Sequence, residues 1–205
     1  MSKKDYISLA KKSAETQIKE LKKIKAVFNN SFVEAIDLIL GCKGKIIFAG
    51  IGKSGLIARK ISATFSSVGI PSFFCDPAQA LHGDMGQIEK KDILVIISYS
   101  GNTSELSNML RYANRYRIKI IGIASKVESI LLKASDIKLI LPKVKESDRT
   151  GIVPTTSTTL TLLLGDCLAT TVMHQRKFSR EKFKVFHPGG NIGKTLLLAK
   201  DIMVV

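Results

Sequence analysis

"IISYSGNTSE", Ile96 to Glu105, is an apolar run that ends in hydroxyls, a glycine and a carboxylate. The run from Ile93 to Ile97 is apolar at successive positions, as in a strand buried on both faces. Ser98, Ser100, Thr103 and Ser104 then crowd a turn around Gly101. The following "ELSNMLRYANRY" places Leu106, Met109, Leu110 and Ala113 on one helical face. The cluster therefore sits where a strand hands over to a helix. Free backbone N–H groups and hydroxyls at such a place form an anion site.

The same alternation repeats outward from this stretch. Residues 5–28 read as an amphipathic helix, and "SFVEAIDLIL" as a second that ends near Gly41. Strand "KIIFAG" leads into helix "SGLIARKISATFSSVG", and strand "PSFFC" into the loop "DPAQALHGDMG". Strand "KIIGIAS" precedes a short helix near "SILLKA". Strand "DIKLILP" leads through "KVKESDRTGIVPTTS" into the long apolar helix "TSTTLTLLLGDCLATTVM". Strands alternating with helices predict an α/β fold, a doubly wound parallel sheet flanked by helices. Ligands of such sheets bind at the carboxyl ends of the strands.

The chain has 205 residues, 45% of them hydrophobic, enough for one sizeable core. The formal charge of +15 fits either a lysine-rich solvated surface or a field that attracts anions. The lysines are dispersed, and no aromatic–basic signature of a nucleic-acid binder is present, so no nucleic-acid partner is expected. Cys42, Cys75 and Cys167 have no zinc or CxxC spacing and read as free thiols of a reducing cytosol. The amino terminus carries no apolar signal core, and Asp166 interrupts the most apolar stretch, which is too short for a membrane span. A cytoplasmic protein without membrane contact is the expectation.

"GIGKSG", Gly50 to Gly55, matches G-x-G-x-x-G after a strand and before a helix. With Asp76 at the end of the next strand, a dinucleotide-binding dehydrogenase is an alternative. Against it stand the small room for a substrate domain and the second, hydroxyl-rich loop. The stretch is not a Walker P-loop, because Ile47 occupies the position of the first glycine.

Taken together these residues resemble the sugar isomerase (SIS) family of phosphosugar-binding proteins. "SYSGNT" is similar to the family's phosphate signature S-x-S-G-x-T. The ordered set "GIGKSGLIARKISATFSSVGIPSFF", "HGDMG", "SGNTSE", "PTTSTT", "GDCLA" and "FHPGGNIGK" resembles its D-arabinose 5-phosphate isomerases, over about residues 40–203. The resemblance implies a flavodoxin-like sheet in a single SIS unit over 1–205. N-terminal helices would occupy 1–41, and the sheet core and C-terminal tail 42–205. It implies interconversion of D-ribulose 5-phosphate and D-arabinose 5-phosphate through an enediol. The product would supply 3-deoxy-D-manno-octulosonate for lipopolysaccharide or capsule. A hexulose-phosphate isomerase and a non-catalytic phosphosugar-binding regulator are the competing readings.

Many family members continue into two CBS domains, whereas "KDIMVV" stands about where those would begin. The family's S-G-E-x-x-E loop has Asn102 for its first glutamate here, and Glu105 keeps the second.

The resemblance assigns site roles residue by residue. Ser54, Ser98, Ser100 and Thr103 match phosphate ligands, for which ordinary helix capping is the plainer reading. Lys53 matches an active-site lysine that stabilises enediolate charge. Otherwise it is a surface lysine. Glu105 and Glu146 match active-site glutamates. Asn102 and Glu105 also have capping-box spacing, and Glu146 alone is a loop charge. His187 matches the family's essential histidine, and His82 is a second substrate-site candidate. Each has a structural hydrogen bond as its alternative. His174 is read as a helix-end residue without a chemical role. No cofactor is implied. A metal set of His82, Asp84 and His187 has no supporting spacing, so no metal is expected. The long apolar helix, together with the resemblance, predicts a homotetramer whose active sites borrow histidines between chains.

Overall fold

The computed structural model describes residues 3–187. Helices α1 (Lys3–Leu21) and α2 (Asn30–Leu40) precede β1 (Ile46–Gly50), α3 (Gly52–Ser67) and β2 (Ser72–Phe74). Then come α4 (Pro77–Ala80), β3 (Ile93–Ile97), α5 (Leu106–Tyr116) and β4 (Lys119–Ala124). The chain continues through α6 (Ile130–Ala134), β5 (Ile137–Ile140), α7 (Thr156–Gln175) and α8 (Arg180–Phe186). The sheet order is β2-β1-β3-β4-β5, with every neighbouring pair parallel. This is the flavodoxin-like order, whose switch point lies between β1 and β3.

Successive residues of each central strand feed opposite layers. Ile46 and Phe48 of β1 join the core beneath α2, α3 and α7, while Ile47 and Ala49 join the core beneath α4, α5 and α6. Both faces are dry, which is why β1 and β3 are apolar at every position. At the edge, β5 alternates buried and exposed residues. Leu106, Met109, Leu110 and Ala113 are all buried, as the helical spacing predicts. Leu160, Leu164, Leu168 and Val172 seat α7 in the first layer. A Cβ on Gly165 would stand 2.3 Å from Ile61 Cδ1, so this glycine permits the close approach of α3 and α7.

Several elements differ from expectation. The first helix ends at Leu21 and tightens into a 3₁₀ turn, Lys22–Val27, that buries Ile24 and Val27 at three-residue spacing. The expected loop after β2 holds α4 and a second 3₁₀ turn, Asp84–Gln87. Asp76 caps α4 by accepting from Ala78 N at 2.9 Å, with Pro77 in the first turn. Its carboxylate is thus a helix cap, which weakens the dinucleotide reading. Part of the expected C-terminal tail forms α8. Much of the apolar surface of α7 is covered within the chain by α1, α2 and α3, leaving Leu163 at 36% exposure. The three cysteines are free thiols, and burial pushes Cys75 up to about 11. Among the described residues no helix is long and apolar enough to cross a membrane.

Candidate active site

The register sets Gly50 beside Ile97, so the loops after β1 and β3 open side by side at the switch point. Between them and the start of α7 lies a pocket of about 360 Å³. Lys53 and Ser54 line it from the first turn of α3. Ser98, Ser100 and Thr103 line it from the loop after β3, and Glu146 from the segment before α7. Six of the nine expected site residues are therefore brought together.

The hydroxyl cradle has an internal order. Ser98 is buried, and its Oγ lies 2.9 Å from Thr103 Oγ1 while accepting from Gly101 N at 3.1 Å. Ser100 Oγ is 3.4 Å from Asn102 N. The turn needs glycine: Gly101 has φ +69, and a Cβ there would meet Ser129 Cβ at 2.4 Å. Facing this cradle, α3 starts just after Ile51, which gives no side-chain cap. Its first-turn N–H groups are open to an anion. Lys53 is exposed and makes no ion pair among the described residues.

The opposite wall is acidic. Glu146 Oε2 accepts from Thr155 N at 2.8 Å, Thr155 Oγ1 at 3.0 Å and Ser157 N at 3.3 Å. Burial pushes this carboxyl up, but the hydrogen bonds from Ser157 and Thr155 outweigh it and hold it below the usual range. The carboxylate also sits at the favourable N-terminal end of α7. The pocket thus has an anion-accepting end and an ionised carboxylate end.

Three expected residues lie elsewhere. Glu105 is exposed at the start of α5, and its carboxylate accepts from Ser104 Oγ at 2.8 Å. The capping box is not formed, because Asn102 Oδ1 accepts from Ile130 N instead. The Glu105 backbone N–H and the Ser104 hydroxyl hold its carboxyl below the usual range. His82 is exposed in the turn after α4. His187 follows α8, with Nδ1 2.9 Å from Phe183 O and its ring stacked on Phe183. It lines a separate groove with Ser62 and Ser66 of α3 and Ser72 of β2. At about 1.5 Å per helical residue, Ser62 and Ser66 lie about 14 and 20 Å along α3 from Lys53. One chain therefore does not unite Lys53 with His187. The rest of the "FHPGGNIGK" motif lies outside the described residues.

Sequence reasoning missed Tyr99. It lines the pocket, its O–H donates to Pro142 O at 3.2 Å, and it accepts from Val144 N at 3.0 Å. Its place inside S-x-S was the available signal. Ser157, Thr158 and Thr161 also line the pocket from α7, and the first two fall in the quoted "PTTSTT".

The acidic wall carries a pH expectation. A carboxyl held low in the folded state adds stability that is complete above the unfolded value, about 4.3, and is lost as pH falls through the folded value. Acid should therefore lower the melting temperature of the wild type below about pH 4.3. Glu146→Gln should make that acid limb shallower, the rest of it belonging to other carboxyls held low, such as Glu20 and Asp136. An unchanged limb would contradict the hydrogen-bonded carboxylate.

A flavodoxin-like sheet with an anion cradle at its switch point and a carboxylate across from it defines the class. Residues 39–171 match the SIS domain, and the chain belongs to that family. It is 42% identical to arabinose 5-phosphate isomerase KdsD of Escherichia coli K12, over 85% of this chain and 54% of that protein. It is 40% identical to KdsD of Pseudomonas aeruginosa, over 98% of this chain and 62% of that protein. The chain thus spans little more than half the length of these curated relatives. A solved E. coli CFT073 protein in complex with arabinose 5-phosphate superposes with a TM-score of 0.88 at 34% identity. That match covers 92% of this chain and 100% of the other.

Proposed function

We propose that the chain is an aldose–ketose isomerase that interconverts D-ribulose 5-phosphate and D-arabinose 5-phosphate through an enediol. The carrying observation is a pocket that holds together a hydroxyl cradle, a lysine with no ion pair among the described residues and an ionised carboxylate. The chemistry needs a phosphate anchor, a cation for the developing enediolate and groups that move protons. Ser98, Ser100, Thr103 and Ser54 hold the phosphate, with the start of α3 adding N–H donors and a favourable dipole. Lys53 stabilises the enediolate oxygen.

Glu146 and Glu105 are the carboxylates available for transfer between C1 and C2. His187, supplied by a neighbouring chain of a homotetramer, serves proton transfer and ring opening, with His82 as a further substrate contact. Ribulose 5-phosphate stays open-chain because O5 is esterified. Arabinose 5-phosphate closes through O4, so the aldose direction needs an extra proton transfer. The product would feed 3-deoxy-D-manno-octulosonate synthesis for lipopolysaccharide or capsule, in the cytoplasm. The isomerases to which the chain is similar and the complex of the E. coli CFT073 protein support this substrate.

The test is an assay on ribulose 5-phosphate, ribose 5-phosphate, glucosamine 6-phosphate and fructose 6-phosphate in deuterated water. Arabinose 5-phosphate carrying deuterium at C2 is expected. Turnover of hexose phosphates with none of pentoses would sink the pentose assignment. The enediol route requires no metal, so EDTA should leave the rate unchanged. Loss restored by one added metal would reject that mechanism.

A further inference from the structure

Helix α1 turns several polar side chains inward and leaves apolar ones in solvent. Tyr6, Ile7 and Ile18 are about 60% exposed, while Ser13, Thr16 and Gln17 turn inward and Glu20 is 8% exposed. An amphipathic helix ordinarily buries its apolar stripe. A buried carboxylate is costly unless its hydrogen bonds are satisfied. Ser13, Gln17 and Glu20 share a target, the strap that carries Glu146, while Thr16 Oγ1 donates to Lys12 O within the helix.

Glu20 Oε2 accepts from Lys145 N at 2.9 Å and from Lys23 Nζ at 2.6 Å, and Lys23 Nζ also reaches Lys143 O at 3.3 Å. Ser13 Oγ donates to Ser147 Oγ at 2.9 Å, and Gln17 Nε2 reaches the same oxygen at 3.4 Å. Gln17 Oε1 accepts from Thr159 Oγ1 at 3.3 Å, which ties α1 to the first turns of α7. Residues 145 and 147 are thus held by α1, and 143 by Lys23 of the 3₁₀ turn that follows it. Glu146, between two anchors, turns its carboxylate to Thr155 and Ser157 at the pocket wall. Tyr99 holds Pro142 and Val144 from the sheet side. The Lys23 hydrogen bond, followed by that from Lys145, holds the Glu20 carboxyl below its usual range, so it is ionised in this role.

We infer that the inward face of α1, from Ser13 to Glu20, is a positioning element that fixes the Glu146 carboxylate in the pocket. This rests on the isomerase reading. Misplacing a reacting group by about 1 Å costs on the order of 10²-fold in rate. The phosphate cradle hangs on β1 and β3 and does not depend on α1. Loosening the strap therefore lowers kcat and spares KM.

The experiment compares wild type, Glu20→Ala, Glu20→Gln and Ser13→Ala/Gln17→Ala in the full chain. Steady-state kinetics on ribulose 5-phosphate are combined with amide hydrogen exchange. For Glu20→Ala, kcat should fall between about 10- and 100-fold with KM within about twofold. Exchange should rise at Lys145 and Ser147 and stay unchanged in β3 and β4. Glu20→Gln keeps an oxygen for Lys145 N and should retain most of the rate. The double variant removes no buried charge, so it covers the case in which Glu20→Ala fails to fold, and it should shift kcat in the same direction.

Unchanged kcat in the double variant and in folded Glu20→Ala would overturn the proposal. So would faster exchange spread across the whole sheet, which would make α1 a general support. An active wild type with indifferent variants rejects this inference alone. An inactive wild type rejects the isomerase reading and this inference with it.

Discussion

Lys53→Ala and His187→Ala proteins, each nearly inactive alone, are expected to regain activity when unfolded together and refolded as mixed oligomers. The expectation follows from distance. Lys53 opens α3 at the pocket, while His187 lies in a groove beside Ser62 and Ser66, about 14 to 20 Å further along the same helix. Proton transfer needs hydrogen-bond reach, so a site using both residues takes them from different chains. In mixed oligomers some sites receive Lys53 from one chain and His187 from the other. Mixed species confirmed by native mass measurement, yet without recovered turnover, would rule the shared site out. Residues exposed on α1 and α8, among them Ile7, Ile18, Val185 and Phe186, offer apolar surface for such contacts.

Glu105→Gln is expected to lower kcat by about 10²-fold or more while leaving the melting temperature unchanged. A helix cap would show the reverse pattern. The structure separates the two, because the Glu105 side chain makes no cap hydrogen bond and Asn102 is engaged with Ile130. The carboxylate is ionised and exposed beside the hydroxyl loop, outside the single-chain pocket. It has the charge state of a base and lies open to enclosure by a second chain. Near-normal turnover would remove Glu105 from the chemistry.

The sheet was legible because β1 and β3 are apolar without interruption, a pattern of strands covered on both faces. The phosphate loop was legible because Ser98, Ser100, Gly101 and Thr103 fall within six residues of one another. Long-range placements were not. Glu146 finds Thr155 and Ser157 nine and eleven positions later, and nothing in "KVKESD" announces a helix terminus. Residues 5–28 could be recognised as amphipathic, but periodicity does not say which face turns inward. In α1 the face with Ser13, Gln17 and Glu20 does, because their partners come from a strap over a hundred residues away. The separation of His187 from Lys53 is likewise a property of the folded chain. The Asp76-Pro77 pair was a readable helix start that the loop assignment passed over.

The open start of α3 has a practical side. A set of N–H donors without a side-chain cap, beside Ser98, Ser100 and the Lys53 cation, does not discriminate sharply among oxyanions. Phosphate or sulfate in a storage buffer would occupy it, and whatever binds only the folded chain raises apparent stability by mass action. At 100 times its dissociation constant such an anion adds about 2.7 kcal/mol. Melting curves recorded in phosphate would therefore overstate the intrinsic stability of the chain. Rates measured in the same buffer would understate its affinity for sugar phosphates, so an amine buffer with chloride is the appropriate reference condition.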